Sequence, residues 1–447
     1  MIKTIKDAFK LKDVRTKILW TLLLLFVYRI GCWIPIPGIS PDTFHHSWST
    51  SNAGGFLNIL DAVAGGALTN GAILALGVGP YITSSIVMQL LTIAIPSLER
   101  LSKQGDEGRK KIAVYTRYVA LFMALAQAIA IAVAFNLGGE TDDKLFGSIF
   151  TDPKAQQAVV TIMVILTLTA GAMFTVWIGD KITEHGVSNG MSMLIFIGIV
   201  SSGANALYLS IVDVTNDINA IATPIVFLVT LIIIFFLIVF VDLGERRIPV
   251  TYAKQVKGNK MYGGQQSHIP LKINAVGVIP IIFAFALLNF PQLIISFFPT
   301  GKAAADYAYW FGAGGTGPGQ YINMVLTALL ILGFSYFYAT LSFNPEDVSR
   351  NLQQSGGFIL GYRPGPPTRD YLKKVHNRMT LFGAVFLAFM ALIPSIIFTA
   401  VMNDGGTSAL TNAFTSIGML IIVSVALEFD KQLQGLMLMK TYKGFLK

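Results

Sequence analysis

Residues 18–36 read ILWTLLLLFVYRIGCWIPI, a largely apolar run interrupted by one charged side chain, Arg29. An α-helix rises about 1.5 Å per residue, so about 20 apolar residues cross a hydrocarbon core of about 30 Å. Arg29 is expected to extend to the outer membrane–water interface. The whole chain has this character, because 53% of its 447 residues are apolar and 13% are charged, whereas soluble proteins carry about 25% charge. The chain is therefore predicted to be an integral membrane protein.

Along the whole chain, including this run, hydropathy predicts ten spans. The predicted fold class is therefore an all-α membrane protein with ten transmembrane helices. Boundaries are set where the apolar character of each run ends. The spans are residues 18–36, 72–95, 113–135, 156–178, 187–207, 222–243, 273–297, 321–341, 379–400 and 408–428.

Two further segments have a helical pattern without the length of a span. Residues 56–68 (FLNILDAVAGGAL) are semi-apolar but too short to cross the membrane. They predict a re-entrant half-helix, whose backbone needs a protein-lined cavity. Residues 1–17 alternate lysines with apolar side chains at helical spacing, which predicts a basic amphipathic helix on an anionic membrane face.

Lysine and arginine are distributed very unevenly over this topology. With ten spans, 29 of the 33 lie on the side of the two termini, three lie on the other side, and Arg29 lies within a span. Cytoplasmic loops of membrane proteins carry such an excess, so both termini are predicted to be cytoplasmic. Two polar loops on this side, residues 244–272 and 343–378, are longer than connections need to be. The tail, residues 429–447, is predicted on the same side.

Motifs for chemistry are weak. The pentapeptide GVSNG at residues 186–190 matches a nucleophile elbow, but it joins two membrane helices instead of a strand and a helix. GAGGTG at residues 312–317 lacks the preceding strand of a dinucleotide site. The single cysteine, Cys32, excludes an intramolecular disulfide. No catalytic residue, cofactor or metal is predicted, and the chain is not expected to be an enzyme.

Six segments, in order, resemble the SecY family, the pore subunit of the bacterial protein-conducting channel. They are residues 75–91 (ALGVGPYITSSIVMQLL), 105–118 (GDEGRKKIAVYTRY), 182–195 (ITEHGVSNGMSMLI), 245–255 (ERRIPVTYAKQ), 268–283 (HIPLKINAVGVIPIIF), and 343–347 with 361–365 (FNPED, GYRPG). The resemblance implies two pseudo-symmetric halves of five helices, residues 18–207 and 222–428. It also implies that residues 56–68 form a plug.

The resemblance further implies three sets of functional residues. An apolar pore ring, able to exclude water from a narrow gap, falls on Val78, Ile82, Met191, Ile195, Ile282 and Ile421, with Met191 in place of the usual isoleucine. The polar cluster of a lateral gate falls on Thr83, Gln127 and Asn274. Plug residues are Phe56, Leu57, Ile59, Leu60, Ala64, Gly65, Gly66 and Leu68.

Partners are likewise implied by the resemblance. The two long loops would dock the SecA motor ATPase or the ribosome, since basic loops suit rRNA phosphates or acidic protein patches. Small membrane subunits of the SecE and SecG type, signal sequences, nascent polypeptides and membrane lipid are also implied, in a bacterial cytoplasmic membrane. The docking residues would be Arg246, Arg247, Lys254, Lys257, Arg350, Arg363 and Arg369.

Two alternatives stay open at the level of sequence. A secondary transporter of a small solute can also be built from five-helix repeats, but it needs a substrate site with ion ligands near the membrane midplane. A membrane-embedded enzyme would need catalytic groups within the spans, and Ser188 is the best candidate for one.

Overall fold

The protein is mostly helical. The structure is a computed structural model that describes residues 2–37, 61, 64–137, 153–216, 222–252, 255–257, 260–262, 266–274, 277, 279–296, 310, 319–401 and 416–444. The helices are α1 (Ile2–Lys10), α2 (Lys12–Gly31), α3 (Gly79–Ala94), α4 (Pro96–Ser102), α5 (Asp106–Leu137), α6 (Pro153–His185), α7 (Gly190–Asn216), α8 (Ala222–Leu243), α9 (Ile279–Ser296), α10 (Gly319–Ser342), α11 (Pro345–Gln354), α12 (Pro366–Val401) and α13 (Ser416–Gly444). The strands are β1 (Glu245–Tyr252), β2 (Gln255–Lys257), β3 (Lys260–Tyr262), β4 (Gln266–Lys272) and β5 (Gly357–Ile359).

Within these residues, five helical segments are long and apolar enough to cross a membrane. A sixth crossing results if α3 and α4, which meet at an angle of 105°, count as one span. The break lies at Ile95, which is extended because it precedes Pro96. The five segments are Asp106–Ala132, Val159–His185, Gly190–Tyr208, Tyr321–Gln354 and Pro366–Ile393.

Each predicted span overlaps one described helix, but several boundaries were wrong. The span predicted from residue 72 begins as a helix only at Gly79, and α12 begins at Pro366 although its span was predicted from residue 379. Hydropathy detects the apolar part of a helix, so polar helical ends outside the membrane escape it. The ten-span count stays a prediction.

The chain divides into two compact units. The first comprises Met1–Phe227, Ala286–Asn323 and Phe398–Lys447, and the second comprises Leu228–Phe285 and Met324–Ile397. In the first unit α3 packs on α5, α5 on α6, α6 on α7, and α7 on α13. Ala120, Ala124 and Ala128 recur at every fourth residue of α5 and are fully buried, so this helix presents a row of small side chains that permits close packing.

The N-terminal helix packs on protein as well. Ala8, Val14 and Ile18 of α1 and α2 form a buried cluster with Val187 and with Leu433 of α13. The segment predicted as one helix over residues 1–17 thus forms α1 and the start of α2, with a break at Leu11, and Ala8 is buried against protein. Its place on a membrane face stays a prediction. The part of α13 beyond its predicted span, which ended at residue 428, provides the partner surface.

In the second unit the two long loops fold together. The sheet order is β4-β1-β5, with Ile248 of β1 opposite Ile269 of β4 and Val250 opposite Ile359 of β5. Ile248 and Val250 are buried, whereas Arg247 and Pro249 are exposed, as expected for a strand with one face on a core. The body that the two loops form is called the loop body below. Its core comprises Ile248, Val250, Leu271, Leu352, Ile359, Leu372 and Val375. The predicted all-α class missed these strands.

Candidate functional site

The segment that leads into α3, residues 64–78, is a chain of tight turns and is called the turn segment below. Gly65, Gly66, Gly71 and Gly77 have φ values between 52° and 80°, which glycine adopts without the strain a side chain would cause. The segment pairs with the end of α2, because the Ile36 N–H donates to the Gly71 carbonyl at 2.8 Å and the Ile73 N–H donates to the Ile34 carbonyl at 2.9 Å. Most residues of the segment are buried in protein, which is the condition that irregular backbone needs within a membrane.

Four of the eight predicted plug residues belong to this turn segment. Ala64 and Leu68 are almost completely buried, and the Asp61 carboxylate accepts hydrogen bonds from the Leu68 and Thr69 N–H groups, both at 2.9 Å. The second part of the predicted half-helix is thus a packed turn, since the glycines and the Asp61 cap favour turns over helix. The other four, Phe56, Leu57, Ile59 and Leu60, lie outside the described residues.

Two predicted ring residues lie at the start of α3. Val78 directly precedes the helix and is fully buried, whereas Ile82 is partly exposed. The Ile82 N–H donates to the Val78 carbonyl at 3.1 Å, so the two residues are one helical turn apart. The predicted i, i+4 relationship therefore holds, with Val78 at the helix cap.

Three more ring residues belong to the first unit and lie on two helices that pack together, α7 and α13. Met191 and Ile195 occupy the first two turns of α7, and Ile421 lies on α13. The Met191 side chain rests on Gly179 of α6, where a Cβ atom would come within 2.6 Å of its Sδ. Ile282 lies on α9 in the second unit and is partly exposed.

The turn from α6 to α7 sets the position of Met191. Asn189 caps α7, because its Oδ1 accepts the Met191 N–H at 3.0 Å, and the Gly190 N–H donates to the Thr183 hydroxyl at 2.8 Å. Ser188 has φ +73° and is buried, and its hydroxyl has no hydrogen-bond partner in the described part of the chain. This serine is a strained turn residue and lacks the hydrogen-bonded base that would activate it as a nucleophile.

The predicted gate residues belong to two units, with Thr83 on α3 and Gln127 on α5 in the first unit and Asn274 in the second. The Thr83 hydroxyl donates to its own helix, at the Gly79 and Pro80 carbonyls, and Gln127 is 4% exposed, with an Oε1 that has no partner among the described residues. In the second unit, Asn274 accepts the Gly277 N–H at 3.0 Å and donates to Asp242 at 3.4 Å. Asn274 therefore caps the approach to α9, and its role in a gate stays a prediction.

Most of the predicted docking arginines are exposed on the loop body, whereas Arg369 is partly buried, and several are paired with neighbouring carboxylates. Arg247 contacts Glu245 at 2.7 Å, Arg350 contacts Glu346 at 3.4 Å, and Arg369 contacts Asp370 at 2.9 Å. Exposed pairs of this kind contribute little, so a partner can exchange them readily. Arg246 is exposed on β1 and Lys257 ends β2, whereas Lys254 lies outside the described residues.

Arg363 occupies the tip of a braced loop. Its carbonyl accepts the Thr368 hydroxyl at 2.7 Å, and the nearby Gly365 carbonyl accepts the buried Ser349 hydroxyl at 2.8 Å. Tyr362 and Tyr371 stack with ring centroids 4.1 Å apart. Hydrogen bonds from two side-chain hydroxyls to backbone carbonyls thus fix the loop, while the Arg363 side chain faces solvent. Among the described residues no three His, Cys, Asp or Glu are grouped to hold a metal ion.

Comparison with known proteins gives a consistent result. The SecY family model matches residues 72–429. The protein translocase subunit SecY of Aquifex aeolicus is 40% identical over 461 residues, with 100% of both chains covered. A solved protein-conducting channel has a TM-score of 0.65 at 19% identity, covering 94% of this chain and 92% of that one. Sec61 in the canine ribosome-channel complex has a TM-score of 0.62 at 19% identity, with the same coverage. The resemblance seen in the sequence is thereby confirmed, and the chain belongs to the SecY family.

Proposed function

We propose that this chain is the pore subunit of a protein-conducting channel, which moves secretory polypeptides across a membrane and releases membrane-protein segments sideways into lipid. The observation that carries the proposal is membership of the SecY family, with a relative whose whole sequence aligns with the whole of this chain. The family is one of translocation channels and not an enzyme class. The alternative of a secondary transporter has no support from the comparisons.

Ten transmembrane helices in two halves, with a plug at residues 56–68, form the proposed architecture. It is supported by the overlap of every predicted span with one described helix. The proposed ring comprises Val78, Ile82, Met191, Ile195, Ile282 and Ile421. A collar of such side chains repels water and ions at rest, yet offers no hydrogen bonds that would retain a passing chain.

The proposed lateral gate uses Thr83, Gln127 and Asn274. Hydrogen bonds between membrane helices contribute about 0.6 kcal/mol each. A gate closed by such weak contacts can be shifted by an apolar signal sequence that binds the open state better. The signal helix then leaves into lipid, gaining about 25 cal/mol for each Å² of apolar surface removed from water.

The loop body is the proposed docking surface for the SecA motor ATPase or the ribosome, on the proposed cytoplasmic side of the membrane. Its exposed arginines support this, as does the similarity to Sec61, which was solved in a ribosome-channel complex. We also propose small subunits of the SecE and SecG type and a bacterial cytoplasmic membrane with both termini inside, supported by the asymmetry of lysine and arginine.

Reconstitution tests this function. The full chain, with small membrane subunits, is placed in lipid vesicles, and a labelled secretory precursor is added with the motor ATPase and ATP. We expect the precursor to become protected from external protease, whereas a precursor with a defective signal sequence stays accessible. Protection that is the same in vesicles without the chain would contradict the proposal, and uptake of a labelled small solute in its place would favour a transporter.

A further inference from the structure

Arg29 is a charged side chain in a membrane helix, and it points to the turn segment. Its Nη1 donates a hydrogen bond to the Gly65 carbonyl at 2.8 Å. Its Cζ lies 5.8 Å from the centroid of the Trp33 ring, within the range of a cation–π contact. The guanidinium therefore has partners within the protein, and its expected extension to the membrane interface stays a prediction.

Gly65 fits a narrow slot between two helices. A Cβ atom at Gly65 would come within 2.6 Å of Arg29 Nη1 and within 3.1 Å of the Gly198 Cα on α7. The residue also has φ +76°. The lack of room for a Cβ atom and the positive φ therefore both require glycine at position 65. Without a side chain in the way, the Gly65 carbonyl comes directly against the guanidinium.

The contact is connected to the pore ring through packed atoms. Ala64, next to Gly65, packs against Gly77 near the end of the turn segment. A Cβ atom on Gly77 would be 3.3 Å from the Ala64 Cβ. Gly77 directly precedes Val78, which is fully buried. Close-packed protein interiors transmit displacements, so a shift of residues 64 and 65 reaches Val78.

Electrostatics favour a strong contact. A hydrogen bond from a charged donor is about twice as strong as a neutral one, and a low-dielectric environment strengthens it further. Gly65 is buried. Without Arg29, its carbonyl would lose the charged donor that it has in this buried position.

We propose that Arg29 is a positioning residue, whose hydrogen bond to the Gly65 carbonyl anchors the turn segment and thereby holds Val78 at the pore. The proposal rests on the channel function for the role of Val78, but the anchoring itself is a local property that can be measured separately.

The glycines offer a matched pair of variants for the test. Gly65 and Gly66 have similar φ values, 76° and 80°. Alanine at either position carries the same backbone strain, but only Gly65→Ala displaces the guanidinium, because the nearest atom to a Cβ at Gly66 is the Thr69 Oγ1 at 4.0 Å. Arg29→Met removes the donor, and Arg29→Lys retains a charged one.

The measurement uses a single cysteine at position 78, in a chain that carries Cys32→Ser. The labelling rate by a small water-soluble thiol reagent is determined for the complete channel in vesicles, without translocation. Losing a hydrogen bond to a charged group should raise the rate roughly tenfold or more in Arg29→Met and Gly65→Ala. We expect a smaller rise in Arg29→Lys, which keeps a charged donor, and in Gly66→Ala, which carries the backbone strain without displacing the guanidinium. Resting ion leak should follow the same order.

Two results would overturn the anchor. One is an unchanged labelling rate in Arg29→Met, and the other is an equal rise in Gly65→Ala and Gly66→Ala, which would assign the effect to backbone strain. If Arg29→Met does not fold, the two glycine variants decide alone. The two proposals can fail separately. If the variants label in the expected order but the parent chain translocates no precursor in vesicles, the anchor is supported and the channel function is refuted.

Discussion

The backbone N–H of Val187 donates a hydrogen bond to the Thr21 hydroxyl at 3.0 Å, although 166 residues separate the two in sequence. The same hydroxyl donates to the Lys17 carbonyl at 3.0 Å. Thr21 therefore joins α2 to the turn that begins α7, and this turn positions Met191. The hydroxyl is used twice, as donor and as acceptor, in a buried site.

Thr21→Val removes both hydrogen bonds with little change of shape. It leaves the buried Val187 N–H without a partner, which costs roughly 1–3 kcal/mol. We expect a lower midpoint of thermal unfolding for the purified chain in detergent. Thr21→Ser retains the hydroxyl and should stay close to the parent midpoint, so equal midpoints for the valine and serine variants would show that the hydrogen bond is unimportant.

Ser188→Gly should stabilise the turn between α6 and α7. Ser188 has φ +73°, and a residue with a side chain in this conformation costs about 1–3 kcal/mol. Its hydroxyl has no partner among the described residues, so its removal loses no hydrogen bond. The unfolding midpoint should rise in Ser188→Gly and fall in Ser188→Val, because β-branched residues tolerate this region worst. A lower unfolding midpoint in Ser188→Gly than in the parent chain would refute the inference that the Ser188 backbone is strained.

Leu433→Ala should release the N-terminal helix from α13. Leu433 is 0% exposed in the cluster with Ala8 and Val14, and truncation of a buried leucine costs about 2–5 kcal/mol. Hydrogen exchange at residues 2–10 should become faster. The control is Leu438→Ala on the same helix, where the side chain is 70% exposed. Unchanged exchange in Leu433→Ala would mean that α1 is held by other contacts.

Arg363→Glu should weaken docking of the motor ATPase or the ribosome without harm to the fold. The loop is held by hydrogen bonds from the Thr368 and Ser349 hydroxyls to backbone carbonyls, and the arginine side chain is exposed. Binding measured at two salt concentrations should fall about tenfold, with the larger loss at low salt, because charge complementarity is screened by ions. Arg363→Lys, which keeps the charge, should lose less. If the parent chain, Arg363→Glu and Arg363→Lys bind the partner with identical affinity, Arg363 is not part of the docking surface.

Much of the helical layout could be predicted, because long apolar runs such as residues 222–243 leave few alternatives to a membrane helix. The strands could not be found in this way. Ile248 and Val250 alternate with exposed residues in a loop that looks merely polar, and their pairing partner Ile359 is distant in the chain. A period of two over so few residues is a weak signal, and long-range pairing has no local signature.

Arg29 and Thr21 show which parts of the site escaped prediction. A lone charge in a span marked Arg29 as unusual, but its partner Gly65 was assigned to a plug, and no pattern connects the two. Thr21 has an ordinary sequence context within a leucine-rich run. Ser188 was noticed for a hydrolase motif, whereas the structure explains it by the left-handed turn that its neighbours require.

The most direct measurement of the central claim is photo-cross-linking from the proposed ring to a secretory polypeptide stalled during translocation. A photoreactive side chain is placed at Ile82, and in a control chain at Leu166, which is 61% exposed on α6. The channel account predicts an adduct between position 82 and the stalled polypeptide, and none from position 166. Adducts from position 166 with none from position 82 would contradict it.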